Sequence, residues 1–156
     1  SLYPSVKDAR YLNDPLPEIF TRLARIYTEE GRMDEAVRLY YAAKDFLAQR
    51  LRYNAFFGDL NNMKWLIDDL YRLVELDDAA VDFYDLYHLL KSPCTVSFRY
   101  KKQVYTVQAL EEDGRCVICF EDAWYRTRED FFSKATIGRT RLTDICHNFY
   151  MFEVHR

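Results

Sequence analysis

Leu89-Leu90-Lys91-Ser92-Pro93-Cys94-Thr95-Val96-Ser97-Phe98-Arg99-Tyr100-Lys101 is where the chain changes its period. Before it, Val81, Tyr84, Leu86, Leu89 and Leu90 recur at helical spacing. After it the pattern alternates, with Val96, Phe98 and Tyr100 on one face and Thr95, Ser97 and Arg99 on the other. Pro93 lacks the amide hydrogen that a continuing helix needs, so the switch is enforced there. Helices first and strands second make the chain α+β. The junction predicts a helical domain over residues 17–91 and a small α+β domain over residues 92–156.

Working forward, residues 104–110 are rich in β-formers, and Asp113-Gly114 is a tight-turn signal between them and residues 116–120. Residues 123–126 offer a short fourth strand. Thr127-Arg128-Glu129-Asp130 reads as a helix start, with Phe131, Phe132 and Ala135 following and Gly138 ending the turn. Leu142, Ile145, Phe149 and Phe152 fit a last helix, while residues 149–154 fit a closing strand equally well. The expected domain is an antiparallel sheet covered by one or two short helices.

Working backward, four helices are expected. Residues 1–16 form a leader in which Pro4, Pro15 and Asn13-Asp14 favour turns and extended chain, and Pro17 suits the first turn of a helix. Ile19, Phe20, Leu23, Ile26 and Tyr27 keep helical spacing, Gly31-Arg32 ends that helix, and Ala36, Val37, Leu39, Tyr40, Ala43 and Phe46 carry the next. A third is expected after a break at residues 54–62, capped by Asn61 or Asn62 and striped by Leu66, Ile67, Leu70, Leu73 and Val74. The fourth is the segment ending at Pro93.

Phe20-x2-Leu23-Ala24-x2-Tyr27, Gly31 and Ala36-x3-Tyr40-x2-Ala43 together resemble one tetratricopeptide repeat over about residues 18–51. Small alanines stand where two helices cross, and the larger side chains fill the space around them. The resemblance implies paired antiparallel helices, and a family that commonly binds peptides in a concave groove. No second copy recurs about 34 residues on. A lone unit cannot bury its own apolar face and packs on something else.

The 156 residues are 49% apolar and 30% charged, with 13 Tyr and 11 Phe, which describes a soluble globular chain with an aromatic core or an adhesive surface. No apolar run is long enough to span a membrane. No signal peptide is visible, and the four cysteines, all in the last 63 residues, are too few and too apolar in setting to make a disulfide scaffold, so a cytoplasmic, reducing location is expected. Net charge is −4 through Lys91 (12 basic against 16 acidic residues) and +1 beyond it, which argues against capture of nucleic acid by the whole chain.

No catalytic constellation is visible, so no enzyme, cofactor or metal is expected. Cys116-Val-Ile-Cys119 has redox spacing, but in a strand residues three apart face opposite ways. Cys119, Cys146 and His147 are the residues an enzymatic reading would use, and sequence adjacency of Cys146 and His147 is not the pairing that activates a thiol. The acid pairs Asp68-Asp69 and Asp77-Asp78 read as solvated helix faces and caps. The leading expectation is a non-enzymatic module that binds another protein, through Tyr41, Phe56, Phe57 and Trp65 where these are exposed. The alternative is a regulator of nucleic acid or of a nucleic-acid enzyme. It would act through Arg99, Lys101, Lys102, Arg126, Arg128, Arg139 and Arg141, or through an acidic skin of Asp68, Asp69, Glu75, Asp77, Asp78, Asp82 and Asp85. Oligomeric state is not set by these residues.

Overall fold

In the computed structural model, which describes residues 16–52 and 60–156, the helical part folds as α1 (Leu16–Glu29), α2 (Met33–Arg52) and α3 (Leu60–Leu73). The expected leader lies outside the described residues apart from Leu16, and so do Phe56 and Phe57. Gly31, at φ +78°, turns α1 into α2. Its amide donates to the Thr28 carbonyl at 3.1 Å and that of Arg32 to the Tyr27 carbonyl at 2.8 Å, the two bonds that close a helix on a left-handed residue. Ala24, Ala36 and Ala43 are fully buried, which lets the backbones of the hairpin approach closely. Phe46, Leu66, Ile67 and Leu70 complete the core with Tyr40. These elements belong to one compact unit, Ser1–Glu75.

The second unit, Leu76–Arg156, begins well before the change of period. The expected fourth helix is short because its acids tie a turn instead of extending it. The amides of Tyr84 and Asp85 donate to Asp82 Oδ1, and the Asp82 amide donates to Asp85 Oδ2 at 2.8 Å. What remains is a 3-10 turn, Asp78–Ala80, and α4, Asp85–Leu89. The Tyr87 ring of α4 packs on Phe132 at 5.6 Å, so this segment belongs with the sheet and not with the first three helices.

The strands are β1 (Cys94–Tyr100), β2 (Gln103–Glu112), β3 (Arg115–Phe120), β4 (Ala123–Tyr125) and, after α5 (Arg128–Lys134), the arms β5 (Thr136–Ile137) and β6 (Thr140–Arg141). Then come α6 (Leu142–Ile145), a 3-10 turn at Cys146–Asn148 and β7 (Tyr150–His155). The end of the chain is thus both helix and strand, the helix over its first residues and the strand over its last. The antiparallel sheet has the order β4-β3-β2-β1-β7. Its consecutive strands are joined by two-residue turns, Lys101-Lys102, Asp113-Gly114 and Glu121-Asp122, every residue of which has positive φ, as the twist of a tight hairpin requires. Thr127 caps α5, its hydroxyl accepting from the Asp130 amide at 3.0 Å.

One face of the sheet is a stack of rings. Phe98 lies 4.3 Å from Phe149 and 5.8 Å from Tyr105, and Phe131 meets Phe120 edge-on at 5.8 Å. The other face carries the alternate residues, and there Val104, Leu110 and Trp124 are exposed. The edge strand β7 is interrupted at Met151, which has φ +53°. Arg156, just past its end, makes a two-pronged bond to Asp78 at 2.8 and 2.9 Å. Among the described residues no helix is long and apolar enough to cross a membrane.

Candidate functional site

Trp65 is 51% exposed on α3, while its neighbours Leu66 and Ile67 are buried. It stands beside an open hollow of about 510 Å³ lined by α1 (Arg25, Thr28, Glu29), by Tyr40 of α2, and by α3 from Lys64 to Leu73. Tyr40 forms part of the lining, with α1 and α3 to either side. Tyr41, the next residue of α2, is displaced by about 100° around the helix and is exposed outside this hollow. Of the four aromatics expected to dock a partner, Trp65 alone is placed there among the described residues.

The hollow is built around Asp69. The sequence reads this residue as a solvated helix-face acid, whereas it is 8% exposed. Its carboxylate is held from three sides: Arg25 Nε donates at 2.7 Å, the Tyr40 hydroxyl at 3.1 Å, and Arg72 approaches at 3.4 Å. A buried carboxylate is tolerated when charged donors saturate it in this way. Burial, with the charge and hydrogen bond of Asp69 adding to it, pushes the Tyr40 phenol up to about 12. The hydrogen bond to Asp69 raises Arg25 in turn. The Arg25 guanidinium also lies 5.2 Å from the centre of the Trp65 ring, so one arginine connects the buried acid to the exposed indole.

A second hollow, of about 1020 Å³, lies on the open face of the sheet beside Trp124, which is 60% exposed. Among the described residues, Glu112, Asp113, Arg115 and Arg126 have no ion-pair partner. The contrast separates a pre-organised surface from a merely exposed one.

The basic residues of the alternative reading do not form one surface. Lys101 and Lys102 are the β1–β2 turn and Arg99 lies beside them on β1. Tyr125, next to Arg126, is level with Cys94 through the chain of paired strands, six residues from Tyr100. That puts the two groups roughly 20 Å apart along the strands. Arg128 is taken up internally, stacked 4.0 Å over Tyr87 and donating to the Tyr87 carbonyl. Arg141 donates to the Ser133 carbonyl, and Arg139 is exposed in the turn between β5 and β6. The acidic skin is likewise used within the fold. Asp77 caps the turn at Asp78–Ala80, Asp78 pairs with Arg156, and Asp85 is fully buried.

The cysteines are all free. Cys116 and Cys119 face opposite sides of β3, and the Cys116 thiol donates to the Leu90 carbonyl at 3.4 Å. Burial pushes the thiols of Cys94, Cys116 and Cys146 up, away from the thiolate that nucleophilic chemistry needs. His147 Nε2 lies 3.2 Å from the Asn148 amide. Among the described residues no three His, Cys, Asp or Glu side chains come together as metal ligands would.

Comparison of the chain with protein-family models, with curated proteins and with solved structures finds no match.

Proposed function

We propose that this protein is a non-enzymatic interaction module, and that the hollow between α1 and α3 receives a segment of a partner protein. The carrying observation is Trp65: a large indole half-exposed beside a concave surface, with Arg25 held against it by a buried carboxylate. Exposed tryptophans in pre-organised pockets supply a disproportionate share of binding energy. The reading accords with the tetratricopeptide-like spacing of α1 and α2, whose successive helices would present such a groove. Four free thiols accord with a reducing, cytoplasmic setting.

The test is capture from a lysate of the source cells with tagged wild-type protein and with Trp65→Ala, each with and without nuclease. A stoichiometric protein that survives nuclease and is lost with Trp65→Ala supports the module. A captured set that nuclease removes transfers the function to Arg99, Lys101 and Lys102 and to nucleic acid. Circular dichroism of Trp65→Ala must stay unchanged, since the exposed indole contributes little to the core.

A further inference from the structure

We propose that Arg25 reads a carboxylate, so that the segment received by the α1–α3 hollow carries an aspartate or glutamate side chain beside an apolar residue that covers Trp65. This rests on the docking reading above and names the chemistry it selects. A guanidinium has five N–H donors in a fixed plane. In Arg25 the Nε donor is spent on Asp69, and the group lies near the indole of Trp65. Among the described residues its other donors meet the Tyr40 hydroxyl and no second acid, and the side chain is 43% exposed where it lines the hollow. What it offers is an exposed guanidinium, oriented by Asp69 through Nε, whose Nη side pairs with no acid, and the group that matches such N–H donors is a carboxylate or a phosphate.

Charge supports the choice between them. Asp69 is met by two guanidiniums, Arg25 and Arg72, so its single negative charge leaves one positive charge over at that point. Lys64, Glu29 and Asp68 line the same hollow, so three cations (Arg25, Lys64, Arg72) balance three acids (Glu29, Asp68, Asp69) there. With no net positive charge to draw an ion in, the cost of desolvation decides, and it is larger for a phosphate dianion than for one carboxylate. The occupant committed to is an acidic side chain within a protein segment.

The experiment pans a phage-displayed library of random linear peptides on the full chain. Winners are then measured by fluorescence anisotropy as synthetic peptides with amidated C-termini. The expected result is an enriched Asp or Glu next to an aliphatic or aromatic residue. Arg25→Lys keeps the charge and loses the fork, and it should weaken these peptides by about 10-fold or more. Changing the peptide's Glu to Gln should cost at least as much in the wild type, and clearly less in Arg25→Lys, where only the charge remains. Glu29→Gln should tighten binding. Winners with no acidic position, acidic winners indifferent to Arg25→Lys, or binding that needs a free C-terminal carboxylate would each overturn the proposal while leaving docking at Trp65 intact. If no winner is lost on Trp65→Ala, the docking reading fails with it. Thermal melts of Arg25→Lys confirm that lost binding is not lost folding.

Discussion

Asp69 is the residue that most changes how α3 is read. It interrupts an apolar stripe, Leu66, Ile67 and Leu70, yet sits on the buried side of the same helix. The sequence contains no sign of its partners, since Arg25 and Tyr40 lie 44 and 29 residues away. Helical phase alone places Asp69 between Leu66 and Leu70, and that is the signal that could have found it. Removing the carboxylate strands the Tyr40 hydroxyl in a buried position, so Asp69→Ala should destabilise by about 1–3 kcal/mol in urea unfolding. A loss well below that range would mean water replaces the acid without cost. The same network gives a pH dependence. The folded state holds the Tyr40 phenol up at about 12, against an ordinary value of 10.0. Below pH 10 the phenol is neutral in both states and contributes no slope. Between about 10 and 12 the unfolded chain releases the proton and the folded chain keeps it, so stability falls as pH rises. Tyr40→Phe should flatten that fall, read as unfolding midpoint against pH.

The elements were legible where local chemistry decides them and illegible where distant partners do. Gly31 ends α1 on its own, because only a left-handed residue closes the two bonds seen there; Gly31→Ala should cost about 1 kcal/mol. Asp113-Gly114 likewise announces its hairpin. The hairpin tip at Lys101-Lys102 is set by the strands on either side, since the lysines adopt the same positive φ without favouring it, and Glu121-Asp122 has only Asp122 to favour its own. Replacing Lys101-Lys102 by Asn-Gly should therefore stabilise the sheet by about 1 kcal/mol, seen as a higher midpoint with an unchanged slope in denaturant. An unchanged or lowered midpoint would mean that the lysines make contacts worth more than the backbone strain they bear. Strand β7 is the opposite case. Its partner β1 precedes it by more than 50 residues, and Phe149, just before it, joins the Phe98 stack only once the sheet exists. For the same reason its residues fit helix and strand equally well before the sheet is known. The fourth helix misleads because Asp82 and Asp85 satisfy both the spacing of a helix and the bonds of a turn.

At the scale of the molecule, each compact unit has its own core and its own tryptophan. Trp65 is in the first and Trp124 in the second, and the chain has no others. Both indoles are exposed enough to sense solvent yet attached to packed elements, which makes each a reporter of its unit. Trp124→Phe leaves fluorescence that follows the helices, and Trp65→Phe leaves fluorescence that follows the sheet. Phe98 is fully buried at the centre of the ring stack. Its replacement by Ala should remove about 3–5 kcal/mol from the unit that holds it. Two cores that are cooperative separately respond separately, so Phe98→Ala should lower the Trp124 midpoint in urea and leave the Trp65 midpoint in place. If both midpoints move together, the chain unfolds as one cooperative body. Partner binding at the helical hollow would then stabilise the sheet as well, and the two alternatives differ in whether a ligand at Trp65 raises the midpoint read at Trp124.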